Sequence, residues 1–248
     1  MITAIVQARL SSTRLPGKVL LDLGGKIILQ RVVDNLKNSK YIDNTIVATS
    51  IDFEDDKIVD YCNKANINVL RGSLEDVLDR FYQIAKFNNV KHICRVTSDC
   101  PLIDPQIVDT TIKKYLEGNF EYVSNNHPLA TFPDGMDVEV FSFNALKKAW
   151  KEARLKSERE HVTPYIWKNP KKFKLFNVVN GKNLSQYRLT IDEPKDYKLL
   201  LEIVTRLDDL SMMSIINFLD KNEDVKKINQ QIMRNEGYNK SINEDIIR

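Results

Sequence analysis

The chain has 248 residues, the length of one large domain or of a domain with a small appendage. Hydrophobic residues make up 42% and charged residues 29%, the composition of a core-forming protein rather than a disordered one. With 37 Lys+Arg against 34 Asp+Glu, the net charge of +3 is too small for a general polyanion or membrane attraction, so neither nucleic acid nor membrane is expected as a partner.

The apolar start, Ile2 to Val6, meets Gln7 and Arg9 before it reaches the length of a secretory core, and no run approaches the roughly 20 apolar residues of a membrane span. Cys62, Cys94 and Cys100 are odd in number and lack metal-ligand spacing with His92, His127 or His161. A reduced, cytoplasmic protein without disulfides or zinc is expected.

Ile2 to Gln7 reads as a β-branched strand, opening into a loop where Ser, Thr, Pro and Gly crowd residues 11–17. Leu29, Val32, Val33 and Leu36 then recur at helical spacing, and Thr45 to Ser50 returns to a compact strand. The alternation continues with a helix over about 54–64, a strand at 66–70, a helix over about 74–87 and a strand at 92–97. Strand-like pieces follow at 121–124, 136–141 and 173–179, with helices near 143–155 and 158–168 between them. From about Pro194 the chain is helical, and its Asn- and Lys-rich end after Lys221 is expected to fray.

This order predicts an α/β protein whose helices cover a largely parallel sheet, with ligands beyond the carboxyl ends of the strands. A single domain over 1–248 is expected: a nucleotide-binding half to about 120, an acceptor-binding half over about 121–206, and C-terminal helices over 207–248. The loops to inspect are 8–18, 71–73 and 98–104.

The first of these, Gln7-Ala-Arg9-Leu-Ser-Ser12-Thr-Arg14-Leu-Pro-Gly17-Lys18, offers three cations and several hydroxyls to a polyphosphate. A solvated basic loop is the plain alternative, and its place at the ligand end of the first strand favours phosphate. It is not a Walker loop, because Val19 follows Lys18, and no G-x-G-x-x-G follows the strand.

The run Arg9-x-x-Ser12-x-Arg14-Leu-Pro-Gly-Lys18 resembles the opening motif of the cytidylyltransferases that activate acylneuraminate and 3-deoxy-manno-octulosonate, and is most similar to the spore coat polysaccharide biosynthesis protein F branch. Four further segments resemble that branch in the same order: 71–81, 95–104, 158–165 and 187–194. The resemblance spans about residues 1–206 and implies a three-layer αβα, Rossmann-like nucleotidyltransferase fold of the glycosyltransferase-A kind with a mostly parallel mixed sheet.

It further implies a CTP-dependent enzyme of surface polysaccharide synthesis that releases pyrophosphate, with a homodimer as the common family state. Carried over by motif, Arg14, Lys18 and Asp99 are catalytic, and Gln7, Arg9, Ser12, Arg14, Lys18, Arg71 and Ser98 hold the nucleotide. Asp99 and Asp192 hold Mg2+, which wants oxygen ligands and takes one or two carboxylates beside phosphate and water. The sequence departs from the octulosonate enzymes at Thr97-Ser98-Asp99-Cys100-Pro101, where those carry Gln-Gly-Asp-Glu-Pro.

Arg71 is weighed equally as a base contact and as an exposed charge beside a helix cap at Ser73. Ser157-Glu-Arg-Glu160 has capping-box spacing, which would place Arg159 and His161 in a helix's first turn as anion contacts. Arg188 and Asp137 complete the candidate acceptor residues, with an acidic-residue partner as the alternative for Arg188 and a simple turn for the segment 134–139. The acceptor is expected to be anionic: a sugar acid, a phosphate or a phosphonate. A nucleotide-sugar glycosyltransferase and a non-catalytic nucleotide-binding regulator are the competing readings.

Overall fold

The computed structural model describes residues 1–245. Seven strands form one sheet: β1 (Ile2–Gln7), β2 (Ile42–Ser50), β3 (Asn68–Gly72), β4 (His92–Thr97), β5 (Tyr122–Ser124), β6 (Glu139–Ser142) and β7 (Leu175–Asn177). Their spatial order is β3-β2-β1-β4-β6-β5-β7, and β6 runs antiparallel to both its neighbours while the other pairings are parallel. This is the expected mixed sheet.

Alternate residues of each strand feed two cores. Ala4, Val6, Val47, Cys94 and Val96 face α1 (Ile28–Lys37), α2 (Asp56–Lys64), α4 (Pro105–Glu117), α8 (Pro194–Arg206) and α9 (Met212–Lys221). Ile5, Ile46, Ala48, Ile93 and Phe141 face α3 (Val77–Phe87), α5 (Phe143–Glu152) and α7 (Pro164–Trp167). That period-two division is what three layers require. Gln7 lies level with both Ala48 and Thr97, so β1, β2 and β4 end together and their following loops share one rim.

The differences from the sequence reading are local. β3 begins at Asn68, because Asn66 turns the chain with φ of 54°. α3 begins at Val77 under an Asp76 cap that accepts the Asp79 N–H; Ser73 accepts the Asp76 N–H and is not the cap. β6 starts only at Glu139, since the Asn125 side chain bonds the Met136 carbonyl and the Val138 N–H in place of a neighbouring strand. The helix expected near 158–168 is two, α6 (Lys156–His161) and α7, broken where Val162 has a φ of 72°.

The C-terminal stretch is folded over the described residues. After α10 (Glu223–Lys226), α11 (Glu236–Asn243) folds back onto α6, where the Asp245 carboxylate accepts the Ser157 N–H at 2.7 Å and its hydroxyl at 2.9 Å. The last three positions of the expected 207–248 helical stretch lie outside the described residues.

Candidate active site

The loop after β1 is closed by its own backbone. Gly17, at φ 70°, donates its N–H to the Leu10 carbonyl at 3.0 Å, a conformation that costs glycine little and other residues more. Leu10 N–H is anchored at 2.7 Å on Asp55, a buried carboxylate whose other oxygen takes the Ser50 hydroxyl. Lys18 therefore leaves the loop in a fixed direction, at the start of a short 3-10 turn, and points into the rim.

There its ammonium meets Asp99 Oδ2 at 3.0 Å, Asp192 Oδ1 at 2.8 Å and the Ile191 carbonyl at 2.6 Å. Burial opposes the charge on Lys18, but the two carboxylates outweigh it and its pKa is raised. Burial likewise opposes ionisation of Asp99, yet Lys18 and the Thr97 hydroxyl, 2.5 Å from Oδ1, hold its pKa well below the usual carboxylate range. Two aspartates 93 positions apart thus converge on one cation, the Lys18 ammonium.

Asp192 is brought there by a second network. Arg188, a buried side chain, donates to Asp134 at 2.7 Å, to Asp192 at 2.9 Å and to Asp196 at 2.9 and 3.1 Å. Asp196 also accepts the N–H groups of Asp192 and Glu193, satisfying the start of α8. Gly135, at φ 94°, lets this turn press on Leu189, whose carbonyl carbon would stand 2.5 Å from any Cβ. The Ile191 N–H bonds the Asp99 carbonyl at 2.9 Å, stitching the two loops together.

The remaining sequence candidates divide. Arg14 is on the rim, 3.2 Å from Asp192 and 2.9 Å from Glu236. Arg9 is nearly half exposed and 3.6 Å from Glu160. Ser98 donates its N–H to the Gln7 carbonyl, and the Gln7 side-chain oxygen accepts from Arg95 at 3.0 Å. Ser12 donates its N–H to Leu10 within the loop. Arg71 folds onto its own neighbourhood, bonding the Ser50 and Asp52 carbonyls and Asp56. Arg188 is likewise held by acidic partners, and Asp137 is paired with Arg234.

The expected anion turn is corrected. α6 begins at Lys156, and Glu158 reaches back to the Leu155 N–H, so Ser157 is inside the helix and Arg159 and His161 lie in its last turn. Arg159 grips Asp76 and the Trp150 carbonyl. Burial lowers the His161 pKa to about 4, so the ring is neutral at pH 7 and carries no charge for an anion. Cys100 is buried, and burial pushes its thiol well above its ordinary pKa, as suits a packing residue.

Sequence reasoning missed Arg80. Its side chain is buried, with two long bonds of 3.3 Å to the Ala48 and Leu74 carbonyls, an unpartnered Nε, and among the described residues no carboxylate in ion-pair reach. Its burial follows from α3 packing on the sheet, where Val77, Leu78, Phe81 and Ala85 surround it on the same helix.

A family model described as cytidylyltransferase matches residues 3–240. The chain belongs to the cytidylyltransferase family. This cytidylyltransferase is 46% identical over 235 residues to an uncharacterized protein of Methanocaldococcus jannaschii, covering 93% of this chain and 95% of that one. It is 34% identical over 233 residues to the spore coat polysaccharide biosynthesis protein SpsF of Bacillus subtilis, covering 90% and 95%. A cytidylyltransferase from Leptospira borgpetersenii has a matching structure at TM-score 0.87 and 37% identity, covering 94% of this chain and 99% of that one. The family match reaches well past residue 206, where the motif resemblance stopped, and takes in α10 and most of α11. The cytidylyltransferase is thus a nucleotidyltransferase enzyme, which sets aside the non-catalytic reading.

Proposed function

We propose that the enzyme couples CTP to an acceptor oxygen with release of pyrophosphate, supplying an activated precursor for a surface polysaccharide. The observation that carries this reading is the Lys18 ammonium held between Asp99 and Asp192 at the common end of β1 and β4. Nucleotidyl transfer needs little covalent help from the protein. It needs the triphosphate positioned and the charge developing around the α-phosphorus neutralised.

In this scheme Arg9, Arg14 and Lys18 bind and orient the triphosphate over the loop 9–18. The acceptor oxygen attacks the α-phosphorus in line with the departing pyrophosphate. Asp99 and Asp192 fit magnesium by the chemistry of the pair: two hard oxygen donors that already share a cation. They would supply two of its ligands, and phosphate and water the others, as magnesium commonly takes them. Bound there, magnesium would neutralise the triphosphate, while Lys18, released from the carboxylates, would turn its ammonium to the phosphate oxygens.

The test is pyrophosphate release with each of the four nucleoside triphosphates against sugar acids, phosphosugars and phosphonates, with and without a chelator. CTP-dependent release abolished by chelation supports the reading. Transfer from a preformed nucleotide sugar, with no pyrophosphate formed from CTP, supports the glycosyltransferase alternative.

A further inference from the structure

The net charge of +3 averages two unlike parts of the chain. Between Phe143 and Lys174 stand ten of the 37 Lys and Arg against three of the 34 Asp and Glu, so the rest of the chain is net acidic. This basic stretch covers α5, α6, α7 and the turn before β7. α5 presents Lys147 and Lys151, one turn apart, on its exposed stripe. Lys148 leans from the same helix over the Phe173 ring at 4.9 Å and bonds the Lys172 carbonyl at 3.3 Å, which brings Lys172 and its neighbour Lys171 beside α5. Among the described residues Lys147, Lys151, Lys168 and Lys171 have no ion-pair partner. Glu152, the acid within the patch, is used by Lys172 at 2.7 Å and by the Tyr165 hydroxyl at 2.5 Å.

The chemistry of the patch selects among anionic partners. Its exposed cations are lysines except for Arg154, which bonds the Lys151 and Ala153 carbonyls of its own turn. Protein interfaces are enriched in arginine and depleted in lysine, and nucleic-acid sites exploit the planar arginine fork. Single-stranded nucleic acid also needs free aromatic faces. Here the rings are taken: Tyr82 stacks with Phe143 at 5.7 Å and with Trp150 at 4.0 Å, and Lys172 covers Tyr165 at 5.0 Å. Long ammonium side chains without fixed partners suit a plane of mobile anionic headgroups. Phe87 adds an apolar element. It ends α3 in the same layer, is 81% exposed, and is flanked by Lys86 and by Lys91, whose carbonyl takes the Phe143 N–H at 2.8 Å where α5 begins. A bulky apolar side chain among lysines is the combination that interfacial membrane contacts use.

We propose that the outer surface of the α3–α5–α7 layer is a docking face for an anionic lipid bilayer, held by its lysine ammonium groups and by insertion of Phe87 among the headgroups. The attachment is peripheral, since no helix among the described residues is long and apolar enough to cross a membrane. The patch ends at Lys168, whose ammonium lies over the rings of Trp167 and Tyr238 at 5.6 and 5.5 Å. Those two residues wall a pocket of about 150 Å³ under α11 that reaches Thr97 at the end of β4. Docking on this flank of the sheet leaves the strand ends, and with them the rim around Lys18, open to solution. The docking face does not depend on the nucleotidyl-transfer reading.

Sedimentation of the full chain with lipid vesicles tests the proposal. Vesicles of phosphatidylcholine mixed with phosphatidylserine should carry the protein down and vesicles of phosphatidylcholine alone should not, and binding should fall as salt rises from about 0.05 to 0.5 M. One lysine near an anionic surface is worth about fivefold in binding, so Lys147→Gln combined with Lys151→Gln should weaken it about 25-fold. Both side chains are exposed, so the double variant should keep the wild-type Tm. Phe87→Ser should weaken binding severalfold at low and high salt alike, because an apolar contact is not screened. Equal binding to the two vesicle types, binding to neither, or wild-type binding by either variant would overturn the proposal, and so would tighter binding to a duplex oligonucleotide than to the anionic vesicles. Pyrophosphate release from CTP is measured separately, and its failure would remove the transfer chemistry while leaving the docking face in place.

Discussion

The rim around Lys18 and the pocket under α11 lie side by side and solve opposite problems. At the rim, charge is stored in paired form: Lys18 with Asp99 and Asp192, Arg188 with Asp134, Asp192 and Asp196. A highly charged ligand can enter there only by exchanging partners, with the protein's ion pairs giving way to its own. In the pocket the lining charges are already matched, Arg95 with Glu139 and Asp137 with Arg234, and the Trp167 wall is aromatic. The rim is therefore suited to recognise by charge and the pocket by shape.

Breaking the rim's scaffold should have the largest effect. Arg188→Met leaves Asp134, Asp192 and Asp196 without their shared partner, and removing one member of a buried ion-pair network costs about 3–5 kcal/mol. Thermal unfolding should show a clear fall in Tm, and an unchanged Tm would mean that the network orients Asp192 without holding the fold. Lys18→Ala comes next. The loss of one preorganised charge at a reacting phosphate predicts a fall in turnover of about 10²–10³-fold. Calorimetry with CTP separates the roles: unchanged affinity would reduce Lys18 to a counter-ion for the two aspartates.

The same contrast explains what could be read in advance. Arg14, Lys18 and Asp99 sit in short segments directly after β1 and β4, and Asp192 in the run just before α8, so all four are visible as motifs, and the burial of β1 and of the end of β2 follows from their β-branched runs. The pocket draws on Arg95, Asn126, Trp167 and Tyr238, four segments with no shared spacing, and its closing piece lies in the Asn- and Lys-rich end that composition alone marks as loose. The misplaced cap at Ser157 has the same origin. Its hydroxyl is used by Asp245, 88 positions away, and no local rule anticipates a partner at that distance.

The strap formed by α11 should be acid-sensitive. His161 bonds the Ser241 hydroxyl at 3.0 Å, is met edge-on by Tyr238, and is surrounded by Glu160, Glu139, Arg95 and Arg9. Its folded pKa is about 4 against an ordinary 6.5. The unfolded chain therefore binds more protons between these values, so the stabilisation is complete above about 6.5 and is lost as pH falls toward about 4. The loss is on the order of 2–3 kcal/mol. Hydrogen exchange of residues 236–243 should accelerate over that window in the wild type and stay flat in His161→Gln; equal acceleration in both would assign the effect to other groups.

The smallest effect tests whether the two regions communicate. Arg14 pairs with Glu236 at 2.9 Å, so the side chain expected on the triphosphate is tied to the first residue of the helix that closes the pocket. Both partners are partly exposed, and such pairs contribute about 0.2–1 kcal/mol. If CTP draws Arg14 away from Glu236, then Glu236→Gln removes the competitor, and CTP should bind about two- to fivefold more tightly. The gain should shrink as salt rises from about 0.05 to 0.5 M, because an exposed pair is screened over that range. Calorimetric titration at both salt concentrations decides the matter. Tighter binding at low salt means that nucleotide entry draws Arg14 off Glu236 and loosens the strap. Unchanged or weaker binding means that Arg14 keeps Glu236 while the nucleotide is held by Arg9 and Lys18.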